Sequence, residues 1–140
     1  MPKELMRPSV VRMVVRGLFR RCAWCGGKGA FFVSWFKKID YCPTCGMSWK
    51  RNLQGFELGA ATMGVFITFG SILVWMVIGG VSGAPLAVLL GVAAALAILL
   101  PIFGYPMTYT VWFGVDLAMH APESGDLEQA QARLSEHATK

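Results

Sequence analysis

From Leu58 through Val115 the chain carries no Asp, Glu, Lys, Arg or His, while charged residues crowd both flanks of this run. A bilayer crossing needs about 20 apolar residues, so the run is long enough for two. Gly79-Gly80-Val81-Ser82-Gly83-Ala84-Pro85 interrupts it with turn chemistry. The pattern predicts a transmembrane hairpin over 55–105, with spans at about 58–80 and 86–105 held antiparallel by the short connection. Ala60, Gly64 and Thr68 form a small-residue stripe on the first span, and Ala87, Gly91 and Ala95 another on the second. With the hairpin centred near Val81 and Ser82, Thr68 faces Ala95, Gly64 faces Leu99, Ala60 faces Phe103, Ile72 faces Gly91 and Met76 faces Ala87. Small residues then meet large ones, which predicts packing of the hairpin on itself. Neither span holds an ionisable group, which disfavours ion or proton transport.

The flanks read differently. In 1–21, Pro8 suits a helix start and Arg12, Arg16 and Arg20 share one face, with Val11, Val15, Leu18 and Phe19 elsewhere around it. This predicts a basic amphipathic helix, weakened by Gly17, lying on a membrane surface and attracting anionic lipid. After the second span, Pro101 and Pro106 break or bend the helix, and Tyr105, Tyr109 and Trp112 favour the headgroup region. A short interfacial helix over 106–120, or a bent continuation of the second span, is therefore expected. On it Asp116 and His120 are spaced to pair on one face, as its wet side rather than as a catalytic or metal site. Pro122-Glu123-Ser124-Gly125 reads as a linker opening a polar tail, 121–140, that is disordered or weakly helical.

All four cysteines fall between the basic segment and the first span, as Cys22-Ala23-Trp24-Cys25 and Cys42-Pro43-Thr44-Cys45, sixteen residues apart. This is a zinc-ribbon spacing, and it predicts a metal-binding head over 22–54 with Cys22, Cys25, Cys42 and Cys45 as ligands. Gly26 and Gly46 follow the pairs, where a knuckle turns tightly and glycine accepts positive φ. A segment this short has little core of its own, so the metal is expected to serve as one. Zinc is favoured over iron, although four thiolates suit both. A closed four-sulfur shell leaves no position for water or substrate, so no enzymatic role is expected. Between the knuckles, the run from Gly29 to Phe36 is β-like and predicts a short hairpin strand. Its aromatics, with Trp49, are expected to fill a small core or touch the membrane interface; single-stranded nucleic acid is the disfavoured alternative partner.

Charge orients these parts. Eleven of the thirteen Lys and Arg residues precede the first span, and only Arg133 and Lys140 follow the second. By the positive-inside rule the head and both termini are expected in the cytoplasm. Arginines at 7, 12, 16, 20 and 21 leave no uninterrupted apolar region for a cleavable signal, so the first span is expected to act as an uncleaved anchor. A reducing cytoplasm then favours metal over disulfides.

The order Arg21-Cys22-Ala23-Trp24-Cys25-Gly26, Asp40-Tyr41-Cys42-Pro43-Thr44-Cys45-Gly46, Phe56-Glu57-Leu58-Gly59-Ala60 and Tyr105-Pro106 with Trp112 and Asp116-Leu117 resembles a family of bacterial inner-membrane proteins, domain of unknown function 983. The actinobacterial branch is most similar, and the resemblance covers about 20–122. Ala23 stands where proline is common in that family. The resemblance implies a mainly α membrane protein: a zinc ribbon followed by two transmembrane helices in the bacterial inner membrane. Some relatives are encoded near respiratory oxidase genes, so the expected role is an accessory or assembly module for an inner-membrane protein partner, with a respiratory oxidase as candidate. The alternatives are a rubredoxin-like iron redox or metal-delivery protein and a membrane-tethered nucleic-acid binder.

Overall fold

A computed structural model describes residues 8–51 and 55–138, with no side-chain detail at 138. Residues 1–7, 52–54 and 139–140, which include the expected start of the basic segment, the end of the head and the end of the tail, lie outside the described residues. Four helices follow in order: α1 (Val10–Leu18), α2 (Phe56–Val81), α3 (Leu86–Met119) and α4 (Ser124–Ala138). The cysteine-bearing segment lies between α1 and α2, and among the described residues it contains no β-strand, only three isolated bridges.

Two of these helices are long and apolar enough to cross a bilayer. At a 1.5 Å rise per residue, α2 is about 39 Å long and α3 about 51 Å, against a hydrocarbon core of about 30 Å. Their apolar side chains are largely uncovered, Val65, Phe66, Phe69, Leu90 and Ile98 among them. A core helix of a water-soluble domain buries such residues. At the turn, Ala84 N–H bonds the Gly79 carbonyl, and Leu89 packs on Gly79 while the Trp75 indole N–H reaches the Leu89 carbonyl at 3.2 Å.

The pairing along the hairpin departs from the sequence expectation. Gly64 faces Thr108 rather than Leu99, Gly59 lies under the Trp112 ring, and nothing approaches within 4 Å of where a Cβ on Gly91 would lie. A groove of ≈ 600 Å³ opens between the helices, lined by Ala60, Gly64, Thr68, Pro101, Gly104 and Thr108. The small-residue stripe on α2 lines this groove instead of being filled by large residues of α3.

Of the two expectations for the segment after Pro106, a separate helix and a continuation, the structure shows the continuation: α3 runs through Pro101 and Pro106 to Met119. Proline lacks an N–H, so Pro106 leaves the carbonyl of Ile102 without its helical donor. Trp35, at the tip of the cysteine-bearing segment, supplies one: its indole N–H donates to Ile102 O at 2.8 Å. This contact anchors the head to α3 and makes the proline tolerable. Trp35→Phe keeps an aromatic ring but removes that bond; a loss of about 0.5–1.5 kcal/mol is expected, read as a lower melting temperature in detergent with metal content unchanged.

The far third of α3 forms the floor of the head. Phe31 meets Phe113 edge-on at 4.7 Å, Trp49 meets Phe56 at 5.0 Å, and Phe32 leans on Tyr105 and Tyr109. Phe113 and Leu117 are fully buried with Met13 and Met47 in one cluster. The head thus has the small aromatic core that the sequence leads one to expect, and it shares that core with α3. The β-like run is a tight loop instead of a strand: Phe31 has φ +61, and a single bridge, Phe32 to Lys38, closes it.

Helix α1 starts where Ser9 caps the Arg12 N–H, and it docks on α3 through small residues. A Cβ on Gly17 would lie 2.7 Å from Thr110 O and 2.8 Å from Val111 Cα, and one on Gly114 would lie 3.0 Å from Met13 O. The buried Thr110 hydroxyl donates to Gly17 O at 2.6 Å. Gly17, which by propensity weakens the helix, is what lets the two backbones approach. Gly17→Ala pits about 1 kcal/mol of gained helix propensity against about 1–3 kcal/mol of overpacking on backbone atoms that cannot rotate away. A net drop in melting temperature is expected, whereas Gly125→Ala on open α4 surface should not lower it.

The expected polar tail is the 15-residue helix α4. Its Ala130 is buried, and the Ala130 carbonyl lies so close to Gly46 that no side chain fits there.

Candidate metal centre

Each cysteine pair is a knuckle built by the same backbone bonds. In the first, Gly26 N–H donates to Cys22 O at 2.8 Å and Cys22 N–H to Gly27 O at 2.9 Å; in the second, Gly46 N–H donates to Cys42 O at 2.8 Å and Cys42 N–H to Met47 O at 2.9 Å. Gly26 and Gly46 adopt φ +80 and +70, as the cysteine spacing predicts. Flanking bridges, Arg21 to Lys28 and Tyr41 to Ser48, close each loop.

The knuckles bring all four sulfurs within 4.8 Å of one another. Cys22 Sγ lies 3.9 Å from Cys45 Sγ, and Cys25 Sγ lies 3.9 Å from Cys42 Sγ. Zinc–sulfur bonds of about 2.3 Å in a tetrahedron require sulfurs about 3.8 Å apart, so these spacings fit one tetrahedral ion. They are far longer than the roughly 2.05 Å of a disulfide. The donor set and its closure fit zinc, and they fit iron equally well.

As thiols, the four sulfurs divide their protons unevenly. Hydrogen bonding from Cys25 first, then Cys42 and Cys45, together with burial, holds Cys22 far above the ordinary thiol range. Cys22 pulls Cys45 down, but Cys25, Cys42 and burial push it up more strongly. Hydrogen bonding from Cys22 pulls Cys25 down to about 7, and Cys42 is lowered by the same partner first. All four thiols must release their protons before they can close a shell around a divalent cation, so acid would oppose its binding.

Helices hold both knuckles from behind. The Arg16 guanidinium, from α1, donates to Ala23 O at 3.3 Å and Trp24 O at 2.8 Å and lies against Gly26. Arg133, from α4, donates to Gly46 O at 3.2 Å. The Tyr41 hydroxyl and His137 ring are hydrogen-bonded, tying α4 to the second knuckle again. Two arginines thus sit beside a cluster that carries four negative charges as thiolates and a net −2 with a divalent ion. Gly27 N–H also points at Cys25 Sγ, at 3.3 Å. Cys22 and Cys42 are buried, whereas Cys25 is exposed and Cys45 partly so. One edge of the tetrahedron therefore faces outward.

Compared with known proteins, the chain matches no family model, no curated protein and no solved structure. The chemistry of the site thus rests on its own geometry.

Asp116 and His120 do pair, with His120 Nδ1 3.4 Å from Asp116 Oδ1, but Asp116 is not on a wet surface. Its other oxygen is bonded to Arg51, and the two side chains are only 7% and 3% exposed. Arg51 also donates to His120 O at 3.1 Å and approaches Asp126 of α4. Arg51, one of the eleven cations that precede the first span, is thus the junction of head, α3 and α4. Lys38 has a similar second role. Burial pulls its ammonium down, but hydrogen bonds to Glu57 (3.1 Å) and Tyr109 (3.4 Å) outweigh this and raise its pKa.

Proposed function

We propose that the chain is a membrane-anchored zinc-ribbon module that binds or helps assemble another inner-membrane complex, with a respiratory oxidase as the candidate partner. The observation that carries this reading is a four-sulfur shell matching tetrahedral zinc, fixed to two apolar helices whose surfaces are largely uncovered. Four thiolates close the coordination sphere, so the metal's contribution is structural. Zinc would hold the knuckles in shape, and the knuckles hold α1 and α4 against α3. The reading places the head and both termini in the cytoplasm, where basic residues before the first span belong and thiols stay reduced. It also takes the chain as a member of the family it resembles, with the knuckles and Tyr105-Pro106 as shared parts.

The test is a pull-down of the tagged full chain from a mild detergent extract, beside a variant lacking two cysteines. An inner-membrane partner that survives with intact knuckles and is lost without them is the expected result. If the intact chain retains no membrane protein, the assembly role falls.

One observation favours a second reading, metal delivery: Cys25 and Cys45 form an outward edge through which a metal could be passed. Metal analysis separates the cases. One zinc per chain in a colourless protein, resistant to brief chelation, is expected for the structural role. Coloured protein with iron, or rapid loss of zinc to a chelator, would favour redox or delivery.

A further inference from the structure

The C-terminal end of α1 and the first knuckle enclose a cleft of ≈ 820 Å³ lined by four cations, Arg16, Arg20, Arg21 and Lys28, and by no acidic residue. Arg16 is committed to the knuckle carbonyls. The other three form no ion pair among the described residues, and Arg20 Nε is buried without a hydrogen-bond acceptor. A cleft lined by cations that lack counter-ions favours an anion.

Depth identifies which anion. The Arg20 guanidinium lies over the Trp35 ring, 4.6 Å from its centroid. Trp35 is bonded to Ile102 O and sits edge-on to Phe103, inside the charge-free run of α3. This places the Arg20 charge at the edge of the apolar zone, the level of lipid phosphates. The wall of the cleft adds Phe19 and Val33, both well exposed, and Phe36 is exposed nearby on the same loop. Such residues gain nothing from a free ion in water but would cover acyl chains.

We propose that this cleft binds the headgroup of an anionic glycerophospholipid, with Arg20, Arg21 and Lys28 around the phosphate and Phe19 and Val33 against its chains. The proposal rests on the bilayer reading of α2 and α3 but not on any protein partner.

The test uses the purified, metal-loaded full chain in non-ionic detergent, offered equal amounts of phosphatidylglycerol and phosphatidylcholine, with bound lipid counted by native mass spectrometry. Phosphatidylglycerol adducts are expected in clear excess. Removing a cleft cation should cut the preference about fivefold, so Arg21→Gln and Lys28→Gln, both exposed and outside the core, should each lower it. Lys50→Gln, exposed and outside the cleft, should not. Equal binding of the two lipids, or an undiminished preference in the Arg21→Gln/Lys28→Gln double variant, would overturn the proposal. So would displacement of the lipid by an equal concentration of inorganic phosphate, which would assign the cleft to the free anion. Whether the chain stays with membranes after an alkaline wash reports on the bilayer reading separately.

Discussion

Cys42→Ser is expected to abolish stoichiometric metal binding and unfold the head while leaving α2 and α3 helical. Structural zinc sites contribute apparent free energies of about 10–16 kcal/mol to the folding of small modules. A fully buried large apolar side chain contributes about 1.5–3 kcal/mol, so no single residue of the shared aromatic core approaches the metal in weight. The serine hydroxyl neither ionises at neutral pH nor suits a thiolate position, and three sulfurs cannot close the shell. Metal content should fall to near zero. The near-ultraviolet dichroism of Trp24 and Trp49, both buried beside the knuckles, should collapse, while helical far-ultraviolet signal largely persists. Acid should mimic the substitution. All four thiols must release protons to ligate a cation, so metal is retained at high pH and lost as pH falls. Full metal stoichiometry in Cys42→Ser, or metal loss on raising the pH, would contradict the site.

The parts legible in the sequence are those encoded locally. A Cys-x-x-Cys-Gly knuckle is closed by bonds spanning five or six residues, so its spacing predicts its geometry, and the sulfurs meet as expected. The charge-free run likewise reports the apolar character of α2 and α3 directly. What was not legible depends on partners far apart in the chain. Trp35 and Ile102 are 67 positions apart, and Arg51 and Asp116 are 65. No periodicity within either segment registers such a contact.

Some signals were present without being decisive. Pro106 announces a carbonyl at Ile102 that needs a donor, which in a long helix marks a docking point as readily as an end. Gly17 and Gly114 mark close backbone approach once they are known to face each other, but alone each reads as a weak helix position. Leu127, Ala130 and Leu134 carry the three- and four-residue spacing of an apolar face, too short and too polar to outweigh the linker-like Pro122-Glu123-Ser124-Gly125. The hairpin register failed for another reason. It centred the hairpin at Val81 and Ser82, whereas α2 runs to Val81 and α3 starts only at Leu86, so the turn centres near Gly83 and Ala84, Gly79 already meets Leu89, and the two helices part around the groove further down.

Truncating either member of the Arg51–Asp116 pair is the second large expected effect. Both side chains are almost wholly withdrawn from solvent, so removing Asp116 leaves buried Arg51 with only Asp126 at 4.0 Å and the His120 carbonyl, and removing Arg51 leaves Asp116 with only His120. Such a loss costs about 3–5 kcal/mol. For the exposed Lys50–Asp40 pair, 57% and 70% exposed, the corresponding loss is at most about 1 kcal/mol. Asp116→Ala should therefore lower the melting temperature sharply and raise hydrogen exchange in α4, whose Asp126 shares Arg51. Because neither residue touches a sulfur, metal content should stay near one per chain, which separates this failure from that of Cys42→Ser. Replacing both partners with apolar residues, Arg51→Met with Asp116→Leu, removes the stranded charge and should recover most of the lost stability. Recovery would show that the pair specifies how the head, α3 and α4 meet more than it stabilises them. A near-neutral single substitution would mean that water reaches the pair, and that the junction of the three elements is looser than the buried contacts at Phe113 and Leu117 imply.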